Sequence, residues 1–231
     1  MMSNEKGTRV ERTQQTLNPA GNFSFGHEAI LGHTQSARRI LLLAQAEMRR
    51  HHGNENFLTA LGPSAILLAF TGLETFVNYT LYICFLHLEA KNDFRRLIEE
   101  DRFLDKFRQI SVLATRRPEL QASDIELVQQ VRNEIVHYYP RTIGTETRVP
   151  SWLQALADKD LLVESPIAGN DFGWQTKMTS YALARWCAAA VARGAEEFAN
   201  ALYLEGQENE AHGFVASHAQ STAEHFRDLI V

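Results

Sequence analysis

Residues 63–86 read PSAILLAFTGLETFVNYTLYICFL, with Glu74 as the single formally charged residue. Because proline is tolerated in the first turn of a helix, we expect a helix from about Gly62 to Glu89. Its length would allow a membrane span. However, a central carboxylate opposes insertion by about 2.5–3.5 kcal/mol. The segment therefore predicts a buried central helix rather than a membrane anchor, and with it an all-α fold.

Polar side chains recur along this apolar segment at spacings of three, one, three and four residues. These spacings place them on one side of a helix. The segment therefore predicts a buried helix that presents one narrow polar stripe to a polar site. The stripe comprises Thr71, Glu74, Thr75, Asn78 and Tyr82.

Helical periodicity extends on both sides of the central segment. We predict a helical bundle of about five or six helices over residues 27–205, a flexible arm over 1–26, and a polar tail over 206–231 with a short helix near Ala223. Residues 141–179 are rich in glycine and proline and predict one irregular inserted loop. The further predicted helices are His27–His52 closed by Gly53, Asp93–Ser111, Ser123–Tyr139 with a capping box of Ser123 and Glu126, Trp152–Ala157, and Ser180–Leu204.

Charge and cysteine content narrow the function classes. A formal net charge of −5 disfavours indiscriminate binding to nucleic acid, so any RNA contact must use a local patch. Cys84 and Cys187 lie in apolar stretches without a Cys-x-x-Cys spacing, which predicts reduced core thiols. We expect no metal site and no cofactor. Residues 1–21 lack the apolar run of a secretory signal, which favours a cytoplasmic location.

The Ser123–Tyr139 helix carries the residues with the most chemical promise. His137 follows Asn133 by one turn, and Gln129 lies on the same side. Arg132 sits at the border of the apolar face, where a buried guanidinium needs an acid. Glu74 has the complementary need on its own helix, so we predict a two-point hydrogen-bonded pair between Glu74 and Arg132. Glu126 and Glu164 are competing partners for Arg132.

Residues 132–137, RNEIVH, resemble the RNA-cleaving motif of the HEPN superfamily, which is an Arg, four to six residues of which the first is often polar, and a His. The resemblance covers roughly Pro63 to Leu204 and draws on the late position of the helix in an all-α bundle. It implies a HEPN-like bundle and a metal-independent endoribonuclease that acts as a homodimer. It further implies a toxin or defence protein restrained by an inhibitory partner, with catalytic Arg132, Asn133 and His137 and supporting Glu74, Asn78, Gln129 and Tyr138.

The chemistry that the resemblance implies suits these side chains. His137 would exchange a proton with the ribose 2′-hydroxyl or the leaving 5′-oxygen, which leaves cyclic phosphate and 5′-hydroxyl ends. Arg132 would stabilise charge on the phosphate, and Asn133 would orient His137 or the RNA. Five ideal helical steps separate Arg132 and His137 by about 140°. A two-fold axis beside the helix would bring copies from two chains into one composite cleft.

A second interpretation remains open. The chain could be a catalytically silent HEPN-like module that binds RNA or nucleotide, or that dimerises. The acidic net charge and the lack of a basic stripe beside His137 favour this module. The presence of Arg132, Asn133 and His137 together favours the ribonuclease.

Overall fold

A computed structural model describes residues 19–57, 59–137, 151–162, 178–203 and 210–230, with side chains from Gly26 onward. Within these residues every regular element is a helix, which confirms the all-α class. The helices number eight in this part of the chain, more than predicted. They are α1 (Pro19–Arg50), α2 (Leu61–His87), α3 (Lys91–Glu100), α4 (Phe103–Thr115), α5 (Ser123–Val136), α6 (Ser151–Ala157), α7 (Tyr181–Ala201) and α8 (Glu210–Arg227).

Helix α2 is the centre of the bundle and contacts α1, α3, α4, α5, α7 and α8. The five stripe residues are each partly exposed, while the residues between them from Gly72 to Leu81 are buried. The stripe is therefore confirmed. By length and composition α2 also qualifies as a candidate membrane span, but 61% of its most apolar window is buried inside the bundle, as in the core helix of a globular domain.

Helix α1 begins within the predicted N-terminal arm. It starts at Pro19 rather than near His27, because proline is preorganised for the first helical position. The 19–26 part of the arm is thus helical, and residues 1–18 lie outside the described part of the chain. The C-terminal end is as predicted: Gly53 has a φ of +77° and its N–H donates to the Met48 carbonyl over 3.1 Å, which closes the helix.

The prediction of a single helix over Asp93–Ser111 is wrong, because the helix is interrupted between α3 and α4. Asp101 and Arg102 are extended, with ψ angles of 152° and 158°. In an uninterrupted helix Asp101 would follow Phe94 by two turns and point its carboxylate into the core. The break removes Asp101 from this face and lets Phe94 and Phe107 both become buried.

Helix α5 differs from its prediction at both ends. Its N-cap is Ala122, with no side-chain cap, so the capping box of Ser123 and Glu126 does not form. Glu126 instead forms an ion pair with Arg108 of α4. The helix ends at Val136, before the predicted end at Tyr139, which itself lies outside the described residues.

Helix α7 packs closely on its neighbours through small side chains. One face of small residues is buried; it comprises Ala184, Cys187, Ala188, Val191, Ala195 and Ala199. Gly194 shows how close the approach to α5 is, since a Cβ there would lie 2.5 Å from Ile125 Cδ1. A larger side chain at Gly194 would force the Ile125 side chain of α5 to move. The predicted short helix α6 is also present.

The prediction of a polar tail with a short helix near Ala223 is only partly right. The segment forms helix α8, which is longer than predicted and packs its apolar side on α1, α2 and α7. Phe226 is fully buried and its ring centroid lies 5.5 Å from that of Phe76. Because this side mixes small and polar residues with few large apolar ones, the segment resembles a solvated tail when it is read without its neighbours. The bundle therefore extends to α8, beyond the predicted boundary at 205.

Three histidines line the contact between α8 and the bundle, and we call His27, His218 and His225 the histidine cluster. His218 Nε2 lies 2.9 Å from the Tyr79 hydroxyl of α2. The rings of His27 and His225 meet edge to face with centroids 5.0 Å apart. His27 Nδ1 is buried without a hydrogen-bond partner in the described structure. Burial and the neighbouring His27 lower the pKa of both His218 and His225 below the ordinary 6.5.

We predict that acid weakens the docking of α8. Because the folded-state pKa of His218 and His225 is lowered, the unfolded chain binds protons at these residues first as the pH falls. The stability that the two neutral histidines contribute is therefore fully present above pH 6.5 and is lost as the pH falls through their lowered pKa values. Glu224 and Asp228 oppose the effect at His225 in part. Thermal unfolding measured between pH 7.5 and 5 checks this, with His218→Gln/His225→Gln expected to flatten the pH dependence. His212→Gln, on the same helix, is the control, and an equal slope in the double variant would contradict the prediction.

Candidate functional site

The polar stripe of α2 faces α4 and α5, and there Glu74 meets Arg132. The distance between Arg132 Nη2 and Glu74 Oε2 is 3.8 Å, which confirms the predicted ion pair. It is too long for the predicted two-point hydrogen bonding. Both side chains are about one-third exposed, at 28% for Arg132 and 34% for Glu74, so solvent screens the pair and its contribution to stability is small. Of the competing acids, Glu126 pairs with Arg108, and Glu164 lies outside the described residues.

Arg132 is held in place from three sides. Its Nη1 donates to Asn133 Oδ1 over 3.1 Å, and its guanidinium carbon lies 5.9 Å from the centroid of the Phe70 ring. Glu74 provides the third side. A guanidinium carries five N–H donors, and the bond to Asn133 is the one hydrogen bond that the Arg132 guanidinium makes with described residues. The cation is therefore positioned, partly open to solvent, and still able to donate to an anion.

Asn133 lies in the last turn of α5, and His137 directly follows the helix. The Asn133 side-chain oxygen accepts from Arg132, so it positions the guanidinium rather than the imidazole. His137 is the first residue after α5, with φ −109° and ψ 60°, and its backbone N–H donates to the Asn133 carbonyl over 2.8 Å. Its side chain is exposed. Because the His137 N–H still closes a helical bond to the fourth preceding residue, the His137 Cα stays on the helical path, and Arg132 and His137 project from different sides of α5, as the ideal separation of about 140° predicts.

The remaining predicted residues are placed as follows. Asn78 belongs to the same stripe as Glu74, one turn further along α2, and accepts a hydrogen bond from Lys106. Gln129 is partly exposed one turn before Asn133, and within the described chain no hydrogen bond connects it to Glu74 or Arg132. Tyr138 lies outside the described residues. The structure thus brings together Glu74, Asn78, Arg132 and Asn133, with His137 at the exposed end of the same helix.

Lys106 of α4 is a site residue that the sequence prediction omits, because charges in this segment are expected to face outward. Its Nζ donates to Asn78 Oδ1 over 2.8 Å and to the Ile98 carbonyl over 3.0 Å. Burial lowers the pKa of Lys106, and the charges of Glu74 and Asp101 partly oppose this. The sequence does contain one indication that Lys106 faces inward. Lys106 lies between the buried Phe103 and Phe107 at helical spacing, on the inner side of α4.

Other potential sites are weaker. Cys84 and Cys187 are buried free thiols, and burial raises the pKa of both. In the described ranges no group of three or more histidine, cysteine, aspartate or glutamate side chains is arranged to hold a metal ion. A surface cleft of about 460 Å³ lies beside Glu55, Lys159 and Trp186, and no predicted site residue lines it.

Comparisons with known proteins add no family assignment, since no protein-family model, curated protein or solved structure matches this chain. The fold and the site define the chain as an all-α bundle with a partly open polar site between α2, α4 and α5, in which Arg132 and Lys106 lie near Glu74 and Asp101.

Proposed function

We propose that this chain is a HEPN-type, metal-independent endoribonuclease. The observation that carries the proposal is the state of Arg132: it contacts Glu74, Asn133 and Phe70, yet it keeps N–H donors that no described residue accepts and a partly open surface. A guanidinium arranged in this way suits a phosphate, which accepts several N–H donors at once. A histidine follows five residues later, directly after the helix, in the order that the HEPN motif requires.

In the proposed reaction, His137 removes the proton from the ribose 2′-hydroxyl, and the freed oxygen attacks the adjacent phosphorus. The phosphorus–5′-oxygen bond breaks, and the leaving oxygen takes up a proton. The products are a 2′,3′-cyclic phosphate and a 5′-hydroxyl. Arg132 stabilises the negative charge that grows on the non-bridging oxygens, which needs no metal ion and no other cofactor.

A homodimer supplies the second proton-transfer group. One chain offers a single His137 at the end of α5, whereas the reaction uses one group to accept a proton and another to donate it. Val136, immediately before His137, is 48% exposed, and a two-fold axis beside the end of α5 would cover this side chain. Two copies of α5 about such an axis would form a composite cleft from both chains.

The biological setting belongs to the same proposal. A ribonuclease with an open site damages its own cell, so the chain is proposed as a cytoplasmic toxin or defence protein that an inhibitory partner restrains at rest. RNA is its substrate. The HEPN-like identity of the bundle is part of the proposal as well.

The alternative is a catalytically silent HEPN-like module that binds RNA or nucleotide or dimerises. Two observations favour it: the net charge of −5, and the pairing of the Arg132 charge with Glu74. The two functions share a positioned cation and differ in whether His137 reacts.

We expect the purified protein to cleave single-stranded RNA in excess chelator. End mapping should find cyclic phosphate at the 3′ ends and hydroxyl at the 5′ ends of the new fragments. The same RNA with 2′-deoxy substitution should resist cleavage, because it lacks the attacking oxygen. Binding without cleavage would favour the silent module, and a metal requirement or 5′-phosphate ends would overturn the mechanism.

A further inference from the structure

We propose that Lys106 is a second phosphate-binding cation of this site and holds an RNA phosphate that neighbours the one held by Arg132. The inference rests on the proposed function, since it assigns another substrate contact to the same site. Lys106 and Arg132 flank Glu74 from two different helices, α4 and α5. Asn78 follows Glu74 by four residues, so the two α2 residues that contact the two cations are about 6 Å apart along the helix axis.

The hydrogen bonds of Lys106 hold its ammonium group without neutralising it. Both acceptors, the Asn78 amide oxygen and the Ile98 carbonyl, are uncharged. The ammonium has three donors, and the third makes no hydrogen bond to described residues. The nearby acids are Glu74, which it shares with Arg132, and Asp101. The side chain is therefore aimed and still able to donate to an anion.

Partial burial favours the binding of an anion by the Lys106 ammonium group. Removing part of its water shell disfavours the charged form, and Glu74 and Asp101 restore it incompletely. A phosphate oxygen would replace the lost water with a charge-assisted hydrogen bond. Arg132 and Lys106 also provide two local cations on a chain whose net charge is negative. They would contact RNA in place of the basic stripe that the sequence lacks beside His137.

Lys106 also donates to the Ile98 carbonyl near the C-terminal end of α3, which could be a purely structural contact. The variants must therefore distinguish this structural role from phosphate binding. Lys106→Arg keeps the charge, whereas Lys106→Met keeps the aliphatic stem and removes the charge. Lys91→Met, at the exposed start of α3, is the matched control for losing one lysine. The unfolding temperature of each variant reports the structural role separately.

The test measures KM and kcat for RNA cleavage over a range of salt concentrations. For Lys106→Met we expect KM to rise about tenfold to a hundredfold, with a smaller change in kcat. The salt dependence of log KM should become shallower by about 0.7 for one lost contact with a single strand. Lys106→Arg should keep most of the affinity, and Lys91→Met should match the wild type. An unchanged KM and salt slope in a folded Lys106→Met would overturn the inference, as would equal losses in the Arg and Met variants.

A binding measurement separates this inference from the proposed function. The probe is single-stranded RNA with 2′-deoxy substitution at each position, which cannot be cleaved. If the wild type binds this probe but never cleaves RNA, the ribonuclease function fails, and weaker binding by Lys106→Met still supports the phosphate contact. If the wild type does not bind the probe, the contact is overturned as well.

Discussion

Replacing His137 with alanine should reduce RNA cleavage by about 10²–10⁴-fold, the range that a positioned general acid or base contributes. The imidazole is the exposed titratable group nearest in sequence to the positioned Arg132, and its side chain packs against no part of the core. The bundle should therefore fold as before. The measurement is the rate of cleavage of a defined RNA, accompanied by circular dichroism and thermal unfolding.

The control for this variant is His212→Ala, which removes a histidine from α8, away from α5. It should cleave at the wild-type rate. RNA binding should survive in His137→Ala, because the phosphate-binding cations remain. Full cleavage activity in His137→Ala would disprove the proposed mechanism and leave the silent module as the better description.

The core of the fold follows from local sequence in the places where burial and helical periodicity agree. Glu74 is the clearest case: a single carboxylate on an apolar helix has to find a cation, and Arg132 at the border of another apolar face has the matching need. The pair could therefore be predicted from two separate helices. Its length of 3.8 Å and lack of direct hydrogen bonding could not, because they depend on the packing of α2 against α5.

Other features depend on neighbours that a single segment does not reveal. The break at Asp101 follows from the direction that α4 must take to bury Phe107. Lys106 sits on the inner side of α4 because Asn78 and the free end of α3 are there to accept its hydrogen bonds. Helix α8 has too few large apolar residues to be recognised as a core helix, yet it packs on α2 through Phe226. In each case a tertiary contact overrides the local pattern.

Replacing Arg132 with alanine should lower kcat for RNA cleavage by about 10²–10³-fold, as removal of one donor to a developing oxyanion does in other enzymes. The fold should tolerate the change, because Glu74 is one-third exposed and remains close to Lys106. Arg132→Lys should recover only part of the loss, since an ammonium cannot donate through two parallel N–H groups. Asn133→Ala also tests the role of Arg132, because it removes the acceptor that orients the guanidinium. We therefore expect it to lower kcat through Arg132.

Mixing the two inactive variants tests whether the site is shared between chains. If the composite cleft contains both copies of Arg132 and His137, a mixed dimer of Arg132→Ala and His137→Ala keeps one copy of each residue in its cleft, whereas each variant alone lacks one residue type altogether. Random reassociation makes about half of the dimers mixed, so the mixture should cleave RNA faster than either variant alone and at less than half of the wild-type rate. If each chain instead uses its own Arg132 and His137, every cleft lacks one of them and the mixture stays inactive. The exposed position of His137 beyond the last turn of α5 favours the shared cleft, because there its ring is free to reach across a two-fold axis.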